Sequence, residues 1–395
     1  MKTTSREGSG AVKPGSTSGS PWRYILTGIL CVIPVWLILV EKASHYELDD
    51  ALIYFRYVRN FLEHGELTYN LGHRWHGITS PLFTLVSICL SWITGRTILA
   101  VNIFCGISLL GAAAGMQYYA ARETGMNLAG YLAMALIVCS PFFYCCFGLE
   151  STLVLFMMIL AIIIYMKENY RLLSCILGLL LITRIDTGIF IIAVVLELLR
   201  QNGWKWMRQR LVLAVPILAP LIVVSVLTNL YYANSSLHTM LAKAGQGLSG
   251  YWGAWPRSFI NIRSHAKLFW GNHIWLYLPV ALLAVIGAVQ APRSRANRLI
   301  ITYILLYGGI FAVFNSPPYH WYYAPLYFFG LAYAGAALSR MIHRSFSIGN
   351  RFRRTAAGSA SILITALLVV SIGVVAYRTT SRLGGPGTTI PPRFS

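Results

Sequence analysis

The chain has 395 residues, of which 56% are hydrophobic and 11% charged, and its formal net charge is +20. Soluble globular domains carry about 25% charged residues, so an ordinary soluble domain is excluded. In a soluble protein the positive excess would suggest nucleic acid. Here the basic residues stand between apolar runs, where they set membrane topology instead, and no CxxC pair, zinc spacing or RNA-binding aromatic motif accompanies them. No nucleic acid is expected as a partner.

In chain order, residues 1–21 are rich in Ser, Gly and Thr and read as a disordered inner tail. The apolar run 24–40 is too long for a signal-peptide core and no small-residue cleavage site follows it, so it is expected to stay as the first anchor. Candidate spans follow at 22–41, 97–121, 128–147, 150–166, 170–185, 186–200, 210–231, 273–291, 297–315, 322–340 and 357–377. Most are long enough for a hydrocarbon core about 30 Å thick. The pair 170–185 and 186–200 also reads as one long kinked hairpin. All seven cysteines lie in apolar segments and read as small core residues. A short tail, 378–395, closes the chain.

The stretch 81–94 is short and apolar, and the basic loops decide whether it spans. If it does not, one side collects the N-terminal tail and five loops holding 19 of the 32 Lys and Arg residues, while the opposite turns 148–151 and 316–321 hold none. If it does, the most basic loops fall outside, against the positive-inside rule. The sequence therefore predicts about eleven transmembrane helices in an all-α polytopic domain over 22–377. The N-terminus is inside, and 81–94 belongs to the outer surface. Residues 42–96 and 232–272 form the two substantial outer loops.

Six of the twelve acidic residues lie in the first outer loop: Glu41, Glu47, Asp49, Asp50, Glu63 and Glu66. Eight of nine histidines also fall on that side or at its rim. Asp49-Asp50 precedes a run with helical apolar spacing, residues 51–62. The pair is expected at a helix start, where the dipole favours carboxylates, on an amphipathic helix lying in the membrane interface. A capping role explains such a pair equally well. A carboxylate beside lipid can also serve as base toward an acceptor hydroxyl. Glu150 is a lone acid at the outer end of a span, a position that reads as functional or as a helix cap with Ser151.

The run Asp49-Asp50-Ala51-Leu52-Ile53-Tyr54-Phe55-Arg56-Tyr57, with Gly65-Glu66-Leu67-Thr68-Tyr69-Asn70 and His76-Gly77-Ile78-Thr79-Ser80-Pro81, resembles a block of GT-C-fold glycosyltransferases that use polyprenyl-phosphate sugars. Mycobacterial terminal β-arabinofuranosyltransferases and the pilin arabinosyltransferases of Gram-negative bacteria are such families. Fainter likenesses occur at Gly148-Leu149-Glu150-Ser151, Arg184-Ile185-Asp186, Asn234 to Lys243, and Tyr319-His320-Trp321-Tyr322. His76 stands where the family has Glu, and Ala233 where it has Pro. Many relatives carry a large soluble C-terminal domain that these residues do not include, so acceptor recognition is expected to use the membrane domain or another protein.

The resemblance implies a GT-C-like fold with amphipathic juxtamembrane helices in the first outer loop, in a bacterial inner membrane, with the active site on the periplasmic face. It implies transfer of a sugar, arabinofuranose by analogy, from a polyprenyl-phosphate donor to a glycan, lipopolysaccharide or pilin acceptor, with inversion at the anomeric carbon. Asp49 is the favoured base, and Asp50 orients it or binds sugar hydroxyls. Lys243, Arg184, Arg257, His320, Tyr322 and Arg56 are the candidate contacts to the donor and its phosphate. Arg184 also reads as a snorkelling arginine paired with Asp186, Lys243 as a solvated loop residue, and Arg56, with Arg59, as a tether of the interfacial helix. Glu150, His76 and His238 are the candidate sugar or acceptor contacts. No cofactor is obligatory; a divalent cation would sit at Asp49, Asp50 and Glu150. The rival reading is a transporter or flippase-type protein for lipid-linked sugars without transferase activity. Transporters show internal repeats and mid-membrane charges, and this sequence shows neither.

Overall fold

The computed structural model describes residues 21–232, 257–260, 274–347 and 351–383, with single positions at 245 and 249. Its regular elements are helices: α1 (Pro21–Ala43), α2 (Asp49–His64), α3 (Pro81–Thr94), α4 (Thr97–Thr124), α5 (Asn127–Val138), α6 (Pro141–Tyr144), α7 (Ser151–Met166), α8 (Tyr170–Thr183), α9 (Gly188–Arg208), α10 (Ala214–Tyr232), α11 (Arg257–Ile260), α12 (Ile274–Val289), α13 (Arg295–Val313), α14 (His320–Phe346) and α15 (Arg351–Leu383). The all-helical, polytopic architecture expected from the sequence is the one observed among the described residues. Among the described residues, the helical stretches 21–43, 97–124, 211–232 and 295–313 are long and apolar enough to cross a membrane unaided, and six shorter apolar helices accompany them.

The expected span 128–147 is broken in the structure. Pro141 cannot supply an amide to a continuing helix, and α5 ends at Val138 before the one-turn α6 and the turn that leads to Glu150. The pair 170–185 and 186–200 is two helices: α8 stops at Thr183, Arg184 is extended, and a 3-10 turn at Ile185–Thr187 opens α9. Helix α3, at 14 residues, is roughly 21 Å long, short of a hydrocarbon core of about 30 Å.

Small residues set the helix spacing, as expected where lipid offers no hydrophobic drive between helices. Helix α14 is the central element. A Cβ at Gly335 would come within 2.6 Å of the Ala133 backbone nitrogen on α5, and one at Gly287 within 1.9 Å of the Tyr333 carbonyl oxygen on α14. Trp36 of α1 donates its indole N–H to the Gly106 carbonyl of α4 at 3.0 Å.

At the end of the bundle opposite Glu150, polar side chains fasten the helices. Asn297 Oδ1 accepts from the Tyr119 hydroxyl at 2.6 Å and the Tyr333 hydroxyl at 3.4 Å, while Nδ2 donates to Glu123 and to the Pro292 carbonyl, both at 3.0 Å. Buried Glu197 of α9 takes Arg298 of α13 and Arg200 of its own helix, each at 2.9 Å. Arg295 bonds Glu168 and the Met166 carbonyl. We expect Asn297→Leu to strand the Tyr119 hydroxyl and to remove one hydrogen bond from the Glu123 carboxylate, costing roughly 1–3 kcal/mol. The measurement is thermal unfolding of the purified protein, with Asn202→Leu, at an exposed position, as the neutral control.

Candidate active site

Helix α2 starts at Asp49, one residue after the extended Leu48. The Asp49 carboxylate takes over the capping duty, its Oδ1 accepting from the Asp50 amide at 2.8 Å. The helix buries Ala51, Tyr54, Phe55 and Val58, the i, i+3, i+4, i+7 stripe of an amphipathic helix. That stripe packs on the protein rather than on lipid, and Arg56, Arg59 and Glu63 stay exposed.

The stripe docks on the turn that follows α6. Gly148 sits there with φ of 83°, and a Cβ on it would come within 2.6 Å of the Ala51 Cβ. Both the left-handed backbone and the close approach of α2 require glycine. Two residues later Glu150 opens α7, so the aspartate pair and Glu150 are brought together by one contact between α2 and the turn.

Glu150 and Arg184 are both buried. Glu150 Oε1 lies 3.6 Å from Arg184 Nε, and Oε2 accepts from the Tyr54 hydroxyl at 3.3 Å. Tyr54 also shares a 2.5 Å hydrogen bond with Thr79, from the loop before α3. Arg184 grips Asp186 with both arms, Nε at 2.9 Å and Nη2 at 2.6 Å, and Tyr307 of α13 donates to Asp186 at 3.3 Å. The guanidinium lies 5.3 Å from the Tyr322 ring centroid. Asp50, half-buried, is close enough for its charge to act on the Tyr322 hydroxyl. Asp49 is exposed and acts instead on Tyr46. The two aspartates thus face different surroundings, Asp50 inward and Asp49 outward.

His320, the first residue of α14, meets the Cys145 carbonyl through Nε2 at 2.9 Å, beneath the same turn. Arg56 stands apart from the cluster: its Nε donates to the Tyr69 carbonyl at 2.8 Å and its guanidinium covers the Tyr69 ring at 4.8 Å. His76 is buried beside Tyr232, ring centroids 5.0 Å apart. The backbone of Arg257 lies in α11, where Phe259 stacks on Tyr323 at 4.6 Å; its side chain, with Lys243 and His238, lies outside the described residues. Among the described residues no three His, Cys, Asp or Glu side chains are arranged to hold a metal ion. Both Glu150 oxygens are engaged by protein groups, Arg184 and Tyr54.

Tyr54, Thr79 and Tyr307 were not singled out in the sequence. Tyr54 had a signal, since it stands four residues after Asp50 and so shares its helix face. Tyr307 had none: nothing local marks a tyrosine whose partner lies 121 residues away.

Burial holds the His76 imidazole below its usual value near 6.5. The folded chain then takes up this proton less readily than the unfolded chain. Stability from this residue is complete above the ordinary value and is lost as pH falls through the lower folded one. Thermal unfolding between neutral and mildly acidic pH is expected to show this loss, and His76→Phe to flatten it.

No protein-family model matches the chain, and no curated protein does. Its fold is shared with ArnT from Cupriavidus metallidurans. The crystal structure of that protein bound to undecaprenyl phosphate aligns with a TM-score of 0.65 and 14% identity, covering 92% of this chain and 77% of that one. The apo structure of the same protein aligns at 0.63, with the same identity and coverage. At this identity the likeness is one of fold.

Proposed function

We propose that the chain is a membrane glycosyltransferase that moves a sugar from a polyprenyl-phosphate donor to a hydroxyl of a cell-envelope glycan, lipopolysaccharide or protein, on the outer face of a bacterial inner membrane. The observation that carries this reading is the docking of the Asp49-Asp50 helix on the Gly148–Glu150 turn beside buried Arg184. It occurs in a fold shared with a protein crystallised with undecaprenyl phosphate. The basic loops support an inside N-terminus. The sequence block around Asp49-Asp50 supports arabinofuranose as the sugar.

In this mechanism the acceptor oxygen attacks the anomeric carbon from the face opposite the phosphate. The new C–O bond forms as the bond to the phosphate oxygen breaks, so configuration inverts. The polyprenyl phosphate leaves with the electron pair, and the hydroxyl proton passes to a carboxylate. Asp49 suits the base: Oδ1 is occupied by the Asp50 amide, and Oδ2 has no partner among the described residues. Asp50, turned toward Tyr322, suits the sugar hydroxyls or the orientation of the donor.

The developing phosphate charge needs fixed donors in a site shielded from water. Arg184 is pre-oriented by Asp186 and Glu150, and Nη1 carries no bond among the described residues. That nitrogen is the proposed phosphate donor, assisted by Tyr322, Lys243 and Arg257. His320 holds the turn from beneath, and Arg56 holds the outer loop through Tyr69. Glu150 positions Arg184, while His76 and His238 belong to the acceptor side.

The test is transfer from labelled polyprenyl-phosphate sugar in membranes. Asp49→Asn is expected to lower transfer by roughly 100- to 10,000-fold, with Asp50→Asn lowering it less. If both variants, inserted and folded, transferred at the wild-type rate, the mechanism would be wrong and the transporter reading would gain.

A further inference from the structure

Buried imidazole nitrogens in folded proteins almost always have hydrogen-bond partners. His76 is 6% exposed, and neither Nδ1 nor Nε2 has one. The ring is nevertheless held firmly. The Tyr57 hydroxyl donates to the Trp75 carbonyl at 2.7 Å and accepts from the Gly77 amide at 2.9 Å, bracketing His76 from both sides. The loop is also fastened to the end of α10. Tyr232 donates to the Leu67 carbonyl at 2.7 Å, and Tyr231 accepts from the Leu67 amide at 3.1 Å. The Tyr232 ring meets His76 at a steep angle, 63° between planes. An orphan donor and acceptor are thus fixed in an aromatic niche.

We infer that this niche is a sugar subsite separate from the transfer centre, in which His76 takes a hydroxyl or vicinal diol of the acceptor glycan. A neutral imidazole offers one donor and one acceptor, which matches a hydroxyl that must both give and receive. It matches an anion poorly, because the acceptor nitrogen would face negative charge. The neighbouring Arg74 guanidinium lies over the Tyr231 ring at 4.8 Å. Aromatic walls suit the C–H faces of a sugar ring. Tyr57, which brackets His76, stands seven residues after Asp50 on α2, roughly 10 Å along the helix axis. One sugar ring does not bridge that distance, so the acceptor is an oligosaccharide or longer glycan rather than a single sugar. The word acceptor here rests on the transferase reading; the niche and its ligand class do not.

The test is equilibrium binding to the full chain in lipid nanodiscs, prepared free of glycoside detergent. The probes are octyl glycosides carrying one, two or three sugar residues, with undecaprenyl phosphate and inorganic phosphate as further probes. Wild type is expected to bind the longer glycosides, His76→Gln to keep most of that binding because its amide also donates and accepts, and His76→Phe to lose roughly tenfold or more. Undecaprenyl phosphate binding should be equal in all three, which also shows that the variants are folded. If His76→Phe alone fails that check, the comparison of wild type with His76→Ala replaces it. The inference is overturned if wild type binds none of the glycosides, if the folded variant lacking the imidazole binds them as wild type does, or if inorganic phosphate is the probe it loses. Glycoside binding is read without any transfer of sugar, so the subsite and the transferase reading fail separately.

Discussion

The end of the bundle that carries Glu150 depends on the burial of one guanidinium. Arg184 cannot be left without carboxylates at this depth, since removing one partner of a buried ion pair costs about 3–5 kcal/mol. Its two partners come from different elements, Glu150 from the turn before α7 and Asp186 from the turn before α9. Each carboxylate recruits a tyrosine, Tyr54 from α2 and Tyr307 from α13. Four elements are therefore gathered around a single charge, and the helix with the aspartate pair is one of them. The arrangement spends stability on rigidity, because an apolar core of the same volume would hold the helices as well.

The two ends of the bundle show the same device with different consequences. At the Asn297 and Glu197 end these side chains meet protein partners, and the result is a fastening. At the Glu150 end the satisfied core of the cluster is bordered by atoms without a hydrogen bond among the described residues: Asp49 Oδ2, Arg184 Nη1 and both His76 ring nitrogens. Satisfied polar networks specify structure. Open groups around a satisfied core are where a ligand can complete the set.

The spans were legible because hydropathy and helix length are local properties. The reading of 81–94 rests on the distant basic loops, which each count for one side of the membrane; in the structure the stretch is the 14-residue helix α3. Pro141 was visible in the sequence, yet the break it causes was hidden by the apolar residues on either side. Glu150 was legible as a lone acid at the end of a span, and Asp186 as the partner of Arg184 two residues away. That Glu150 would also be one was not, nor that Tyr54 would reach it across 96 residues. The contacts that define the site join segments whose separation no periodicity records. The orphan state of His76 is of the same kind: the sequence marks a histidine where the resembling family has a glutamate, and only the packing of Tyr57 and Tyr232 shows that it is enclosed and unpartnered.

The central claim is that Arg184, held by Glu150 and Asp186 under α2, receives the phosphate of a lipid-linked donor. A cryo-EM structure of the full chain in nanodiscs with undecaprenyl phosphate tests it most directly. The account expects the phosphate between α2 and the Gly148–Glu150 turn, within hydrogen-bond reach of Arg184 Nη1. A phosphate held elsewhere on the bundle, with the Arg184 cluster untouched, would contradict it.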